Sequence, residues 1–396
     1  MIVKRVPIDT YCEKKVPTLQ KTYDGLIDYL DISSVDNAEK RIISYQTIRS
    51  SNAPSRAKQL LKKGDVLVST VRPNLNAVAV VEEETENLMV GSTGYCVLRC
   101  KENIDVRYLF NFCQSQYFID DMSSQATGAS YPAVSNSIVR NSLIPCHSIE
   151  EQRKIAEKID TVSELIAFRK QQLVELDELV KSRFIELFGD PETNPCKWSI
   201  SKLSEFCDLQ NGYAFKSQDY LDNSTVLNCR MSNIRPDGGF DAEYHPKYLP
   251  DTFWEKYKEY RLVDGDVIIA MTDMASDPKI LGVPTIVRTN GKKFLLNQRV
   301  GKLTFYDNTT INNVYLMFVL SQKHIRQQLV KSAGGSTQIN VGKPAVLAAE
   351  FFVPPMELQS QFVAFVEQTD KSKLAVQQSL EKLETLKKSL MQQYFG

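Results

Sequence analysis

The sequence predicts an α+β protein in which two similar globular segments alternate with two long helices. Three observations lead to this class. Heptad-spaced apolar residues run through residues 149–189 and again through 356–396, with no glycine or proline inside either stretch. Short β-branched runs and amphipathic helical stretches precede each long helix. Local matches between the two halves of the chain indicate that the globular segments are diverged copies.

The first long helix is indicated by its apolar seam and by signals at both ends. Its seam positions, three, four or seven residues apart, are Ile155, Ile159, Val162, Ile166, Leu173, Leu176, Val180 and Leu187. This spacing is typical of helices that supercoil around each other. Ser148 and Glu151 have the spacing of a capping box, and Gly189 before Pro191 is a typical stop. About 40 residues at roughly 1.5 Å each predict a rod on the order of 60 Å long.

The second long helix repeats this pattern. Its seam residues are Phe362, Val366, Val376, Leu380, Leu383, Leu390 and Tyr394. At the start of the helices, the sequence pairs Gln152 with Gln361, because each lies seven residues after a proline. Near their ends it pairs Leu173 with Leu380. The two registers differ by two residues, so we expect a small insertion in one copy.

Both seams contain basic residues, and further leucines lie beside them. The seam cations are Arg169, Arg183, Lys373 and Lys387, and the flanking leucines are Leu165, Leu179, Leu374 and Leu386. Such wide stripes favour contact with another helix, so we predict that these four leucines bind a partner. Alternatively, the long basic side chains simply lie along the seam with their charges in water.

The globular segments share several landmarks. A Gly-Asp turn at Gly64-Asp65 and at Gly265-Asp266 opens a β-branched run, which predicts a turn followed by a strand. The predicted strands are 66–69, 77–81, 95–99, 267–270 and 285–288. A Gly-Ser loop at residues 128–130 has a counterpart at 334–336. We therefore divide the chain into a first domain (1–147), a central helix (148–189), a second domain (190–355) and a C-terminal helix (356–396).

Composition excludes several functions. Lys and Arg total 48 and Asp and Glu total 48, so no net charge draws the whole chain to DNA or to an acidic membrane. The 8 Cys form no CxxC pair and only 3 His are present, so we expect no metal site, reduced thiols and a cytoplasmic location. No signal peptide and no membrane span are expected. No catalytic or nucleotide-binding pattern is visible, which indicates a non-catalytic binding protein without a cofactor of its own.

Three local patterns identify a family. Pro145 precedes the run at residues 151–155, with Gln361 in the other copy. Asn194-Pro195 and Trp198 precede residues 203–212, and a further pattern spans 296–301. With the double repeat, these resemble the specificity (S) subunit of type I restriction–modification systems over nearly the whole chain, and the pattern at 296–301 looks like a recurrent strand of such domains. The first domain lacks the Pro-x-x-Trp opening of the second.

The resemblance implies a function. Each globular segment would be a target-recognition domain that reads one half of a bipartite site in double-stranded DNA. The two helices would pair as an antiparallel coiled coil with pseudo-twofold symmetry, set the gap between the half-sites and dock two methyltransferase subunits. Those subunits would bind S-adenosylmethionine and methylate adenine. Motor-nuclease restriction subunits would join them, and this chain would perform no chemistry.

Base reading requires polar side chains on exposed loops. The loop after each Gly-Asp strand and the Gly-Ser loop occur in both copies, which guides the choice of candidates. The predicted DNA-binding residues of the first domain are Arg49, Arg56, Arg72, Asn74, Ser130 and Tyr131, the last as a stacking or wedge residue. Those of the second are Arg230, Asn233, Arg235, Thr272, Ser336, Thr337 and Gln338. The alternative for each is an ordinary solvated loop residue.

Two other functions remain open at this point. A protein-interaction scaffold built on a coiled coil agrees with the zero net charge. Steeply salt-dependent binding to a defined DNA would exclude it, because phosphate contacts release counterions. An enzyme with an unrecognised site would reveal itself by turnover of the isolated chain.

Overall fold

The computed structural model describes residues 4–306 and 311–396, which fall into two compact units. Unit 1 contains the described residues up to 173 together with 375–396, and unit 2 contains those from 174 to 374. Helices and small sheets occur in both, so the α+β class is confirmed. The unit boundaries fall inside the long helices, and the four-segment division of the chain stays a prediction.

Unit 1 is built on two main sheets. Its strands are β1 (Arg5–Pro7), β2 (Leu26–Leu30), β3 (Val35–Asp36), β4 (Arg41–Ile42), β5 (Gln46–Arg49), β6 (Ala57–Leu60), β7 (Val66–Ser69), β8 (Val78–Val80), β9 (Leu88–Ser92), β10 (Tyr95–Leu98) and β11 (Leu143–Pro145). Its short helices are α1 (Val106–Phe112), α2 (Gln116–Ser124) and α3 (Asn136–Asn141). One sheet has the order β5-β2-β9-β6 with β2 and β9 parallel, and the other is antiparallel with the order β10-β7-β8.

The first long helix, α4, spans Ile149–Phe188. The Ser148 hydroxyl accepts a hydrogen bond from the Glu151 amide (3.3 Å), and the Glu151 carboxylate accepts one from the Ser148 amide (3.2 Å). The predicted capping box is thereby confirmed. Gly189 follows the helix at φ 81°, the left-handed conformation that glycine adopts without strain.

Unit 2 repeats the topology of unit 1. Its strands are β12 (Ser199–Lys202), β13 (Cys207–Asn211), β14 (Val226–Cys229), β15 (Tyr248–Leu249), β16 (Arg261–Leu262), β17 (Val267–Ala270), β18 (Thr272–Met274), β19 (Pro284–Ile286), β20 (Lys293–Leu296), β21 (Val300–Phe305), β22 (Gln338–Asn340) and β23 (Glu350–Val353). Its short helices are α5 (Phe253–Lys256), α6 (Asn313–Leu320), α7 (Lys323–Ser332) and α8 (Lys343–Leu347), and the long helix α9 spans Met356–Phe395. The sheet β15-β14-β20-β16, with β14 and β20 parallel, corresponds to β5-β2-β9-β6. The sheet β13-β21-β17-β19 contains the counterpart of β10-β7-β8. The predicted strands are all present, with ends that differ by two residues at most.

The long helices contain no insertion relative to each other, so the predicted register difference is wrong. Met356 follows Ile149 by 207 positions and Phe395 follows Phe188 by the same 207. At this offset Gln152 corresponds to Gln359, and the predicted counterpart Gln361 is an exposed residue two positions on. Spacing from the preceding proline was misleading, because the two prolines are not equivalent. At the same offset Pro354 corresponds to His147, and each of these residues accepts a hydrogen bond from the buried glutamine.

A buried glutamine anchors the start of each long helix. The side-chain oxygen of Gln152 accepts from the Asp105 amide (2.9 Å), and its amide group donates to the His147 carbonyl (3.0 Å). Gln359 makes the same two bonds, accepting from the Asn312 amide (2.9 Å) and donating to the Pro354 carbonyl (2.8 Å). Both glutamines thus satisfy backbone groups that would otherwise be buried without partners.

The two long helices pair antiparallel within each unit. In unit 1, Lys158 donates to the Tyr394 hydroxyl (3.3 Å), and eleven residues further along α4 Arg169 donates to Ser379 (3.3 Å). In unit 2, Asp177 of α4 forms an ion pair with Lys373 of α9 (2.6 Å). Residue numbers on α9 therefore fall as those of their partners on α4 rise, which is the order expected for antiparallel helices. Seam residues are buried or half-buried throughout, which confirms the heptad pattern.

The ends of the long helices are part of the globular cores. The Phe395 ring lies 5.3 Å from that of Tyr108 in unit 1, and the equivalent Phe188 ring lies 5.2 Å from that of Tyr315 in unit 2. The tyrosine hydroxyls donate to backbone carbonyls of the chain leading into the long helix, at 2.9 and 2.8 Å. Because these rings are fully buried, helix ends and globular segments share one core in each unit.

The Gly-Asp landmark has a structural explanation. Asp65 is fully buried and binds the Arg99 guanidinium through both carboxylate oxygens, at 2.8 and 2.7 Å. In unit 2, Asp266 binds the Lys302 ammonium at 2.8 Å. Each aspartate also accepts from the backbone amide three residues earlier (2.9 Å in both). The aspartate therefore ties the turn to the neighbouring strand in both copies.

Replacement of Gln359 by Leu should destabilise the protein, whereas Gln361→Leu should not. The first change leaves the Asn312 amide and the Pro354 carbonyl buried without partners, at a cost on the order of 2–4 kcal/mol. The second removes an exposed side chain, so its effect on the free energy of unfolding should stay within about 0.5 kcal/mol. Urea titration of both variants followed by circular dichroism measures this difference. Equal losses would show that Gln359 is not the anchor.

Candidate nucleic-acid interface

Two loops predicted to read DNA lie side by side in unit 1. One follows β7 and contains Arg72 and Asn74, and the other contains Ser130 and Tyr131. The Arg72 amide donates to the Pro132 carbonyl (2.7 Å), and the Val134 amide donates to the Thr70 carbonyl (2.9 Å). The structure thus joins two segments that are about 60 residues apart in sequence into one exposed ridge.

The same pair of loops occurs in unit 2. Strand β18 follows β17 and pairs antiparallel with β22, and the Ala275 amide donates to the Thr337 carbonyl (3.1 Å). Ser336 and Thr337 are exposed at the turn before β22, and Gln338 is half-buried. The predicted members of the Gly-Ser loop are therefore placed beside the segment that follows the Gly-Asp strand in both units.

Glycine is required where each Gly-Ser loop turns. Gly128 has φ 106°, and a Cβ there would lie 2.9 Å from the Tyr131 carbonyl oxygen. Gly335 has φ 132°, and a Cβ would lie 1.9 Å from the Gln338 carbonyl oxygen. A side chain fits neither position. The tight turns expose the polar residues that follow them.

An arginine lies over an exposed tyrosine on each unit. The Arg72 guanidinium is 4.8 Å from the ring centre of Tyr131, which is 68% exposed. The Arg235 guanidinium is 5.0 Å from the ring centre of Tyr244, which is 42% exposed. Such contacts are worth about 0.5–1 kcal/mol at exposed sites. They hold each guanidinium in a limited range of orientations while its N–H groups remain accessible.

The other predicted arginines are placed less uniformly. Arg56 is exposed, and its carbonyl accepts from the Thr93 amide (2.9 Å) beside Gly94, which in turn binds Thr70 at the start of the Arg72 loop. Arg49 forms a loose, exposed ion pair with Asp24 at 3.9 Å. Within the described residues no contact links Arg49 to the paired loops. Arg230 is half-buried and donates to the His245 carbonyl (3.2 Å).

Two predicted DNA-binding residues are interior, so the exposure expected for them is wrong. Asn233 is 3% exposed, accepts from the Arg230 amide and donates to the Asp241 carbonyl, both at 2.8 Å. Thr272 is 2% exposed and donates to the Asn340 side-chain oxygen at 2.5 Å. Polar residues in a segment that resembles a loop were expected to be exposed. Here both side chains instead form hydrogen bonds that stabilise the loop conformation.

Sequence analysis missed polar residues beside these loops in unit 2. Gln298 and Asn340 are exposed and line a cleft of about 380 Å³ together with Lys343. The ammonium of Lys343 lies 2.6 Å from Asp208 and lowers the pKa of that carboxyl below its usual value. Gln298 belongs to the pattern at 296–301, which the sequence presented as a strand. The structure instead places a turn at residues 297–299, between β20 and β21.

The four leucines predicted to bind a partner are all accessible. Leu165, Leu179, Leu374 and Leu386 are 41%, 49%, 56% and 46% exposed. Phe168, Val174 and Ile185 on α4 are also more than half exposed, and the sequence analysis overlooked them because they lie outside the seam. Apolar side chains thus remain uncovered along both long helices after the seams are buried.

Metal ligation and membrane insertion find no support in the described part of the chain. Within residues 4–306 and 311–396, no group of three or more His, Cys, Asp or Glu residues is arranged to hold a metal ion. In the same ranges, no helix combines the length and apolar character needed to cross a bilayer.

A family profile described as "Type I restriction modification DNA specificity domain" matches residues 10–178 and 195–386. The MjaVIII specificity subunit of Methanocaldococcus jannaschii is 25% identical over 285 residues, which cover 68% of this chain and 65% of that protein. The StySPI specificity subunit of Salmonella potsdam is 22% identical over 319 residues, 75% of this chain and 66% of that protein. The chain therefore spans just under two thirds of the length of these relatives.

Two solved structures share the fold. A chain from a type I R-M system, solved to study complex assembly and conformational transition, aligns with a TM-score of 0.63 at 23% identity, over 99% of this chain and 97% of that one. The type I restriction–modification S subunit from M. genitalium aligns with a TM-score of 0.57 at 15% identity, over 99% and 96%.

Proposed function

Because this chain belongs to the family of type I restriction–modification DNA specificity domains, we propose that it is the DNA-reading specificity subunit of such a system. Each unit reads one half of a bipartite site in double-stranded DNA. The observation that carries this proposal is the paired loops that both units build from the Gly-Asp strand and the Gly-Ser turn. Repeated scaffolds with different loops are suited to reading two different sequences.

The loop residues have the chemistry that base reading needs. Arg72 in the paired loops of unit 1, and Arg235 in a separate turn of unit 2 between Ile234 and Phe240, present planar N–H donors, which match the two acceptors on the major-groove edge of guanine. Ser336, Thr337 and Gln338 offer donors and acceptors that suit either type of base pair. Asn74, Ser130 and Arg56 complete the proposed set on unit 1, while Asn233 and Thr272 support the loops from within.

The zero net charge is compatible with this role if a partner supplies part of the attraction to DNA. We therefore propose that two methyltransferase subunits dock on the uncovered apolar residues of the long helices. S-adenosylmethionine binds those subunits, which methylate adenine, while this chain remains non-catalytic. Motor-nuclease restriction subunits complete the system in the cytoplasm.

The antiparallel helices suit a further part of the proposal. A continuous helix of fixed rise per residue makes a defined spacer. We propose that the paired helices set the gap between the half-sites.

A protein-interaction scaffold is the second candidate function. The equal numbers of acidic and basic residues and the exposed apolar residues of α4 favour it. The two functions differ in their response to salt, since phosphate contacts make DNA affinity fall steeply as salt rises. Binding to a defined duplex that does not weaken between 50 and 200 mM salt would therefore favour the scaffold.

Arg72→Ala should relax one half-site and Arg235→Ala the other. Loss of one specific base contact costs about 1–3 kcal/mol, roughly a 5–150-fold loss of discrimination at that position. Tyr131→Phe is the matched control, because it keeps the ring beneath Arg72. Methylated adenines are mapped after each variant is assembled with the methyltransferase. Simultaneous relaxation of both half-sites by one variant would contradict independent reading.

Replacement of Leu179 and Leu386 by Glu should weaken methyltransferase binding at least tenfold. Burial of one leucine in an interface is worth about 1.5–3 kcal/mol. Both side chains are nearly half exposed, so the thermal unfolding midpoint should change little. Gln377→Glu with Gln378→Glu on α9 adds the same two charges at exposed polar positions and serves as the control. Analytical ultracentrifugation with the purified partner measures the result, and unchanged assembly would remove these leucines from the docking surface.

Four helix-forming residues inserted between Leu176 and Val180 should lengthen the gap while both half-sites stay the same. The insertion adds about 6 Å of helix and nearly keeps the seam phase. At about 3.4 Å per base pair, the gap grows by one or two base pairs. A Gly-Ser insertion of the same length between Glu84 and Thr85 should leave the gap unaltered. An active helix-insertion variant with the original gap would show that the helices do not set it.

A further inference from the structure

Three of the four seam cations have partners inside their own unit. The Lys373 ammonium lies 2.6 Å from Asp177, Arg169 donates to Gln172 at 2.9 Å, and Arg183 donates to Glu186 at 2.7 Å. Lys387 differs, because among the described residues it has no hydrogen bond and no ion pair. A half-buried ammonium without a partner is costly and calls for an explanation.

The repeat shows that the fold does not require a cation at this position. Lys387 lies 207 residues after Val180, the same offset that relates the ends of the long helices. Val180 is 6% exposed and packs in the core of unit 2 beside Phe184. The packing of the two long helices can therefore accommodate a buried apolar residue at this position. Of the two equivalent positions, only the one in unit 1 has a lysine.

Lys387 lines a cleft that contains other basic residues. The cleft has a volume of about 670 Å³ and is bordered by Lys40, Lys170 and Lys388, with Glu384 as its acidic member. Lys170 and Lys388, like Lys387, have no ion pair within residues 4–306 and 311–396. Three elements thus bring positive charge to one place, namely the turn before β4 and both long helices.

Nearby carboxylates compensate only part of this charge. A smaller adjoining cavity, which shares Lys40, Lys170 and Lys387, adds Arg41, Arg107, Glu39, Glu82 and Asp160. Arg107 binds both Asp160 (2.7 Å) and Glu82 (2.9 Å), and Asp160 also accepts from Asn111 at 2.9 Å. Over both cavities six basic residues face four acidic ones.

The lysines repel one another in this setting. Burial lowers the pKa of Lys40 to about 8, and the charge of Lys387 adds to the shift while Asp36 opposes it. Burial also lowers the pKa of Lys387, with Asp160 opposing the shift and Lys170 and Arg107 reinforcing it. A bound anion would relieve both effects, because it favours the charged form of each lysine.

The cleft adjoins one of the paired loops. Lys40 donates to the backbone and side-chain oxygens of Asn76, at 2.5 and 2.9 Å, and Asn76 itself borders the cleft. Asn76 ends the turn that begins at Arg72 and includes Asn74. DNA held by that loop would bring its backbone close to the lysines.

We propose that this cleft, lined by Lys40, Lys170 and Lys387, binds a phosphate group of the DNA backbone beside the half-site that unit 1 reads. The inference rests on the proposed function for the identity of the ligand. Ammonium groups bind phosphate as point charges without regard to base sequence. The site therefore increases DNA affinity and helps to position unit 1 on its half-site. Unit 2 lacks such a site, since it has Val180 at the position equivalent to Lys387.

The test is the salt dependence of duplex binding by the full chain. Fluorescence anisotropy with a labelled 30-base-pair duplex is recorded between 50 and 200 mM salt for wild type and for the double variant Lys170→Gln, Lys387→Gln. Loss of one phosphate contact should reduce the slope of log K against log salt by about 0.9. We expect affinity at low salt to fall about three- to tenfold for every duplex sequence, with sequence preference unchanged.

Two variants control for charge and folding. Lys382→Gln removes an exposed charge from the same helix outside the cleft, and it should leave the slope unaltered. Lys387→Arg keeps the charge at the site, so restoration of the slope in Lys170→Gln, Lys387→Arg relative to the double glutamine variant supports charge rather than packing as the cause. Thermal unfolding confirms that each variant is folded.

Other outcomes overturn the proposal in distinguishable ways. If the double glutamine variant keeps the wild-type slope of log K against log salt and still binds DNA sequence-specifically, the cleft does not bind phosphate. The proposed specificity function is not affected by that result. If wild type binds no duplex even together with the methyltransferase, but inorganic phosphate raises its unfolding temperature only when the lysines are present, the DNA assignment fails along with the proposed function. In a third outcome, a polyglutamate peptide binds wild type but not the double glutamine variant, while both proteins show the same salt dependence of duplex binding. That result would overturn the phosphate assignment and assign the cleft to an acidic protein segment.

Discussion

The rest of the structure depends on the buried glutamine in the first turn of each long helix. Gln152 and Gln359 each join the start of a long helix to the backbone amide of the residue that caps a short helix and to the chain just before the long helix. These backbone groups are bonded by the buried glutamine, so a misplaced helix would leave them without that partner. The anchor thus sets the position at which the rod leaves each globular core. The aromatic residues at the far ends, Phe188 and Phe395, are packed into the same cores.

This rigid base allows the loops to diverge. In both units the segment after the Gly-Asp strand is paired by backbone bonds with the Gly-Ser loop, so its position does not depend on its side chains. The Asp65–Arg99 and Asp266–Lys302 ion pairs fix the start of that strand to its neighbouring strand. Side chains at the tips are then free to vary, as Arg72 with Tyr131 on one unit and Ser336 with Thr337 on the other demonstrate. A recognition protein benefits from this separation of scaffold and specificity.

Charge is distributed locally although the total is zero. Two of the four seam cations, Arg183 and Lys373, are neutralised within the long helices, and the cations that bind the Gly-Asp turns are neutralised in the sheets. The positively charged groups that stay accessible to a polyanion are the loop arginines and the lysines of the cleft in unit 1. Attraction of a polyanion to such a molecule would be directional, because it would depend on a few local groups and not on the net charge.

The sequence by itself determined the elements whose signals are local. Heptad spacing, the capping box at Ser148 and the stop at Gly189 predicted α4 to within a residue, and the Gly-Asp turns predicted β7 and β17. These succeed because helix periodicity and turn chemistry act between residues close in the chain. The class, the repeat and the choice of loops followed from the same signals.

Tertiary structure decided whatever depends on residues distant in sequence. It assigned the anchor to Gln359 rather than Gln361, because only Gln359 reaches the Asn312 amide. It turned Asn233 and Thr272 into internal supports and exposed Gln298. It also left Lys387 without a partner, a fact that spacing along a helix cannot reveal. Burial and hydrogen-bond partners are properties of the packed chain, and neighbouring residues do not encode them.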